Sequence, residues 1–268
     1  VDGVISKLDT DILPKLGKYK LSKLDPLILK RFINELMNRK KLTGKTEEKI
    51  SSTTANDVYR SLRNMLNRAV DWEYLNTNPL LKVQAPPIAK TEKDTFNKEQ
   101  MIEVFDFLKS EDVESKCMFV ITLFTDFRKG ELLGLHLEDI NYEASTLHVA
   151  RDVVRDKQKH NVVENAKPKT EKSIRDVPVP FFCLEIIDEY LEWRNRKIEG
   201  LKLKDSHYKE IDNLFLSEKG DLMRPEYPGK KWNEFLDKYD LKHVTLHGLR
   251  HSYCTLQMNE NPELGPND

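Results

Sequence analysis

The chain has 268 residues, 38% of them apolar and 33% charged. This fits one large or two ordinary globular domains and excludes a disordered chain. No apolar run reaches the roughly eighteen residues that a membrane-spanning helix needs. The net charge of −1 argues by itself against a polyanionic partner, but the charge is unevenly spread. Residues 1–90 hold 17 Lys and Arg against 10 Asp and Glu, whereas the remainder holds 27 against 35. A basic lobe that binds nucleic acid can hide in a neutral chain in this way, and a merely solvated basic surface is the alternative.

The first strong element in chain order is a helix over residues 25–37. Asp25 suits its N-cap and Pro26 its first turn, and Leu29, Phe32, Ile33 and Leu36 recur at helical spacing. Gly44 and the polar residues up to Ser51 and Ser52 read as a loop. A second helix is expected from Thr53 to Trp72, with Val58, Leu62, Met65, Leu66 and Val70 as its apolar stripe. Arg60, Arg63, Asn64 and Arg68 fall on its other faces and are candidates for contacts to a phosphate backbone, with plain solvation as the alternative. Adjacent Pro86 and Pro87 cannot continue a helix, so residues 87–94 read as a linker between a domain over 1–86 and another over 95–268.

In the second domain, residues 98–108, 115–125, 182–196, 227–239 and 247–258 read as helices, with a shorter helical stretch over 129–137. Residues 146–154 and 173–179 are rich in β-branched side chains and read as strands of one small antiparallel sheet. They flank a polar stretch containing Lys167-Pro168-Lys169-Thr170. The fold class is therefore mainly α with a small antiparallel β-sheet. The three cysteines, Cys117, Cys183 and Cys254, form no CxxC pair. They indicate neither a zinc site nor a disulfide framework, and they suit a reducing cytoplasm as small core residues.

Three segments can carry chemistry. In Thr125-Asp126-Phe127-Arg128-Lys129-Gly130-Glu131-Leu132-Leu133-Gly134-Leu135, Arg128 lies at the rim of an apolar core, where Glu131 can hold its guanidinium across one turn. An ordinary surface ion pair is the alternative. Lys169 lies on a turn between the two expected strands and could donate a proton to a leaving oxygen, although turn lysines are usually just solvated. In Thr245-Leu246-His247-Gly248-Leu249-Arg250-His251-Ser252-Tyr253-Cys254, Thr245 can cap a helix that sets His247 and Arg250 on one face at its N-terminus. Helix N-termini favour anions, and an imidazole beside a guanidinium adds a proton carrier. The alternative is a capped helix with a surface Arg and a packed His.

Taken together, T-x-F-R-K-G-E-L-L-G-L, a P-K-T ahead of a strand, and H-x-L-R-H-S resemble the tyrosine recombinase (phage integrase) family over nearly the whole chain. Leu13-Pro14-Lys15-Leu16-Gly17 and the stretch from Leu62-Arg63 to Asn78-Pro79 are similar to that family's helical core-binding domain. The resemblance implies a core-binding domain followed by a catalytic domain. It also implies transesterification without a metal or other cofactor, on duplex DNA attachment sites, within a homo-tetramer on DNA. A monomer is the form left open for the free protein, and no membrane is involved. Arg128 and Arg250 would grip the scissile phosphate, Lys169 would protonate the departing 5′-oxygen, and His247 would assist proton transfer, with Glu131 supporting Arg128. A tyrosine hydroxyl would attack, leaving a 3′-phosphotyrosyl intermediate that conserves bond energy.

The chain departs from the family in two respects. The nucleophilic tyrosine, expected after a Gly-His or Gly-Trp pair downstream of the box, has no counterpart before Asp268. Tyr253, three residues past Arg250, reads as a core residue, so no nucleophile is assigned. The chain reads as truncated at its C-terminus, and also at its N-terminus, where some members carry an arm-binding domain. Such a chain would bind DNA without cutting it. The second departure is Asp126, which stands where the family usually has Gly. It could repel phosphate, weaken Arg128 by pairing with it, or point away. The leading expectation is a site-specific recombinase of a mobile element or phage. A DNA-binding protein that keeps the fold without the chemistry is the alternative, and a His/Arg phosphohydrolase is a distant third.

Overall fold

The computed structural model describes residues 2–40, 49–88, 94–156, 161–165 and 173–260. The chain divides into two compact units, Val1–Glu92 and Lys93–Asp268. Each has its own hydrophobic core.

Among its described residues unit 1 is built from helices, with one isolated antiparallel bridge between Lys40 and Lys49. Helices α1 (Asp2–Lys7) and α2 (Leu13–Leu16) are joined by a single widened turn of π-helix over Leu8–Ile12. Helix α3 (Pro26–Met37) starts where the sequence predicts it, with the Ile28 amide donating to Asp25 Oδ1 at 2.8 Å and Pro26 in the first turn. Helix α4 (Ser52–Asp71) is capped by Ser51, whose Oγ accepts from the Thr54 amide at 3.1 Å. Leu29, Phe32, Ile33 and Leu36 of α3 pack against Ala55, Val58, Tyr59, Leu62 and Leu66 of α4. Full burial of each Leu, Ile, Val or Phe among them contributes roughly 1.5–3 kcal/mol. The expected stripe needs one correction. Met65 and Val70 are only half-buried, while Ala55, Tyr59 and Ala69 lie inside. Tyr59 escapes the apolar pattern because it is polar at its tip, and its hydroxyl reaches the Val83 carbonyl at 3.0 Å.

Unit 2 is built on helices α5 (Lys98–Leu108), α6 (Val113–Phe124), the short α7 (Lys129–Leu133), α8 (Phe181–Lys204), α9 (Tyr227–Lys238) and α10 (Leu246–Glu260). Asn97 and Gln100 form a reciprocal capping box at the start of α5. Helix α8 runs well past the expected end at residue 196, because Tyr190, Arg194 and Ile198 continue its buried face. Arg194 is 1% exposed and donates to the carbonyls of Asn213 and Ile211, a satisfied buried cation that pattern reading takes for a surface residue. Trp232 lies at the centre of the core, edge-on to Phe119 and stacked on Phe235, with its indole N–H donating to the Val244 carbonyl at 2.6 Å. The thiols of Cys117 and Cys183 are buried, and desolvation raises both pKa values, that of Cys183 to about 12.

The sheet expectation is corrected more substantially. The run over 146–154 is two strands rather than one, β2 (Thr146–Val149) and β3 (Asp152–Asp156), in different sheets. Strand β2 lies between β1 (Ile140–Asn141) and β5 (Arg175–Pro178), antiparallel to both. Among the described residues strand β3 pairs only with β4 (Asn161–Asn165), in which Val162 and Val163 stand between polar residues and which is absent from the strands expected from the sequence. The break falls at Ala150-Arg151, where the Arg151 guanidinium turns to Asp139 (2.8 Å) and Glu138. Gly134, just past α7, makes the break possible. A Cβ there would sit 2.8 Å from the Arg151 carbonyl carbon and oxygen, so only a residue without a side chain lets α7 lie this close.

Candidate phosphate-binding site

Helix α6 ends at Phe124, and Thr125 closes it by donating its hydroxyl to the Ile121 carbonyl at 2.7 Å. The next residues form a tight corner in which Phe127 is buried and Asp126 and Arg128 point outward from the core. Arg128 sits at the N-cap of α7. Its amide donates to Glu131 Oε2 at 3.0 Å and its guanidinium Nη1 meets Glu131 Oε1 at 2.5 Å. The Arg128 side chain is 56% exposed and that of Glu131 only 4%. A buried carboxylate thus holds the base of an outward-facing guanidinium, the i,i+3 geometry expected from the sequence.

Helix α10 begins as the sequence suggests. Thr245 Oγ1 accepts the Gly248 amide at 3.0 Å, and Ser252 Oγ, by accepting the Phe96 amide at 2.8 Å, ties the helix to the start of α5. His247 is exposed in the first turn, its Nε2 3.1 Å from His251 Nε2, with the rings edge-to-face. Arg250 is half-buried one turn further on and donates to Asp126 Oδ2 at 3.3 Å. Tyr253 packs against the core as expected.

A third guanidinium joins the two arginines. Arg175 Nη2 donates to Asp126 Oδ1 at 2.6 Å and to Glu131 Oε2 at 3.1 Å, while its Nη1 donates to the Ser173 carbonyl at 3.1 Å. An unbroken chain of ion pairs therefore runs Arg128–Glu131–Arg175–Asp126–Arg250. Burial alone would lower the pKa of Arg175, but hydrogen bonds and charge from Asp126 and Glu131 outweigh it and raise the value. Asp126, whose direction the sequence leaves open, pairs with Arg175 and Arg250 rather than with Arg128.

Arg175 is absent from the residues the sequence singles out, although a signal for it exists. In register, Val149 faces Arg175 and Leu147 faces Val177. The two-residue period places Arg175 on the inward side of β5 with buried Val177. A cation at an inward strand position has to find counter-ions at the core's rim. Lys169 lies outside the described residues. Arg60, Arg63, Asn64 and Arg68 are all exposed on α4, and among the described residues the three arginines form no ion pair. The described residues contain no helix long and apolar enough to cross a membrane.

The sequence profile of the phage integrase family matches residues 94–262, and that of the phage integrase SAM-like domain matches residues 7–85. The chain belongs to the phage integrase family. Among curated relatives of this family member is a tyrosine recombinase XerC-like protein of Caldanaerobacter subterraneus subsp. tengcongensis. It is 29% identical over 257 residues, which are 90% of this chain and 62% of the relative. Across three curated relatives, the chain spans between 52% and 62% of their length. The integrase fold itself is shared with a solved Tn1549 transposon integrase in complex with a circular intermediate DNA, at a TM-score of 0.75 and 19% identity, covering 97% of this chain and 80% of that one. It is also shared with a lambda integrase tetramer bound to a Holliday junction, at a TM-score of 0.63 and 13% identity, covering 97% and 64% respectively.

Proposed function

We propose that this chain is the DNA-gripping and phosphate-activating portion of a site-specific recombinase of a mobile element or phage. Its substrate is duplex DNA carrying an attachment site, bound as a homo-tetramer. The observation that carries the reading is the ion-pair chain that links Arg128, at the start of α7, to Arg250, in α10, in one patch with His247 one turn before Arg250.

Two guanidiniums on one phosphodiester donate to its non-bridging oxygens and stabilise the charge that grows as the fifth oxygen approaches phosphorus. Preorganised donors of this kind are each worth roughly 10²–10³ in rate. Buried Glu131 and half-buried Asp126 hold those donors in place before substrate arrives, so little reorganisation remains at the moment of reaction. His247, exposed at the start of α10, hydrogen-bonds the phosphate or relays a proton. Lys169 protonates the 5′-oxygen as it leaves. The attacking group in this reading is a tyrosine hydroxyl. It gives a 3′-phosphotyrosyl bond, from which a free 5′-hydroxyl of a second duplex regenerates the phosphodiester. Arg60, Arg63, Asn64 and Arg68 of α4 contact phosphates away from the scissile position, which fixes register rather than chemistry.

The test is covalent trapping. The full-length protein, incubated with an attachment-site duplex nicked next to the cleavage point, is expected to yield a protein–DNA adduct that survives denaturing electrophoresis. Salt-sensitive DNA binding with no adduct would assign the fold to binding alone, without the chemistry.

A further inference from the structure

One cation in the patch has no part in the chemistry above. Arg175 is assigned no step there, yet its Nη2 is shared by the carboxylates that hold Arg128 and Arg250. We propose that Arg175 is a positioning residue of the phosphate clamp. It takes up most of the negative charge of Asp126 and shares that of Glu131, so that Arg250 stays aimed without being neutralised and Arg128 keeps its anchor. This inference rests on the reading of Arg128 and Arg250 as phosphate-gripping groups.

The bond lengths show how the carboxylates are divided. Asp126 Oδ1 lies 2.6 Å from Arg175, whereas Asp126 Oδ2 lies 3.3 Å from Arg250. The short, charge-assisted bond goes to Arg175 and the long one to the clamp. Asp126 therefore restrains Arg250 without saturating it. Glu131 is divided between two partners as well, one oxygen on Arg128 at 2.5 Å and the other on Arg175 at 3.1 Å.

The charges point the same way. Three guanidiniums against two carboxylates leave one formal positive charge, which a phosphodiester monoanion would balance. Without Arg175 the patch is formally neutral before any phosphate arrives. Asp126 then has only Arg250 to turn to, and it competes with the incoming anion for the same donors.

The residue type fits the task. Arg175 spans the Ser173 carbonyl and two carboxylates with a fixed planar fork, and its guanidinium carbon lies 5.9 Å from the centre of the Phe127 ring. A lysine ammonium also has three donors, but as a compact point charge on a flexible stem it lacks the fixed planar fork that holds these acceptors in one geometry.

A simple staple between β5 and the α6–α7 corner would use the same contacts, so the experiment must separate charge from fastening. Inorganic phosphate is titrated into this chain while the Arg128 and Arg250 Nε–Hε signals are followed by NMR, and folding is checked by thermal melting. In the unaltered chain both signals should move along one binding curve. Arg175→Ala should weaken phosphate about fivefold, the weight of one partly exposed charge contact. Adding Asp126→Asn to Arg175→Ala, which removes the competing charge and keeps the shape, should bring affinity back to near the unaltered value. Arg175→Gln, for use if Arg175→Ala does not fold, removes the charge but keeps a polar side chain; it should bind phosphate more weakly than the parent and be rescued by Asp126→Asn in the same way. Unchanged affinity in the folded Arg175 variants, or a double variant as weak as the single one, overturns the proposal and leaves a staple. Should Arg128→Ala and Arg250→Ala each leave phosphate binding untouched in the otherwise unaltered chain, the clamp itself is refuted, and this inference with it.

Discussion

Two sets of arginines in this chain are held in opposite ways. Arg60, Arg63 and Arg68 stand exposed on α4, and among the described residues they form no ion pair. Arg128, Arg175 and Arg250 are laced together by Glu131 and Asp126 at the rim of the second core. An untethered arginine keeps its rotamer entropy and follows any phosphate within reach, which suits steering and sequence-independent grip. A tethered arginine has given up that freedom before the substrate arrives. It exchanges range for aim, as charge stabilisation in a transition state requires. In the proposed reading the same residue type serves affinity in one unit and chemistry in the other, and the carboxylates around it make the difference.

The sharpest way to break this contrast is at the tethered set. Arg128→Ala or Arg250→Ala in the full-length protein should lower single-turnover adduct formation by roughly 10²–10³. Attachment-site binding, measured by mobility shift, should change little. Cleavage near normal in either variant would remove the residue from the clamp. The untethered set should respond in the opposite sense. Each of Arg60→Ala, Arg63→Ala and Arg68→Ala should weaken binding to specific and unrelated duplexes alike. Each should also reduce the slope of log affinity against log salt by about one for every phosphate left without its arginine. A variant that selectively loses attachment-site binding would mark its arginine as a reader of bases.

The smallest effect concerns the second core and its pH dependence. Burial raises the pKa of Glu114 above 4.5, against the opposing charge of Lys197 and the hydrogen bond from Tyr227. Because the folded state holds this proton more tightly than the unfolded one, the group's contribution is present at low pH. It fades as pH rises through the raised folded value. Glu114→Gln should flatten that decline in thermal melts, by less than about 2–4 °C. Lys197 would remain satisfied in the variant, with its Nζ on the Leu216 carbonyl at 3.2 Å and over the Trp193 ring. An unchanged slope would show that Glu114 does not set it.

What is legible in the sequence is whatever depends on near neighbours. Asp25 with Pro26, Asn97 with Gln100 and Thr245 ahead of His247 each mark a helix start, because a cap and its amide lie within three residues. The Arg128–Glu131 contact is legible for the same reason. What is not legible depends on partners far along the chain. Arg175 finds Asp126 and Glu131 across 49 and 44 residues. The division of residues 146–154 into two strands coincides with Arg151 reaching Asp139 and with the close approach of Gly134, partners that the β-branched run itself does not reveal. Buried Arg194 is hidden likewise, since its acceptors are main-chain carbonyls of another segment.

Helix α7 is only five residues long, with Arg128 at its N-cap and Gly134 at its C-cap. So short a rod has no slack, and a displacement at one end is felt at the other. The direction in which Arg128 points is therefore decided partly by how closely an uncharged glycine can lie on the main chain of Arg151. The bulk permitted at residue 134 bears on where a positive charge is delivered, so a change that touches no ionisable group would shift the Arg128 guanidinium that the proposed reading places on phosphate.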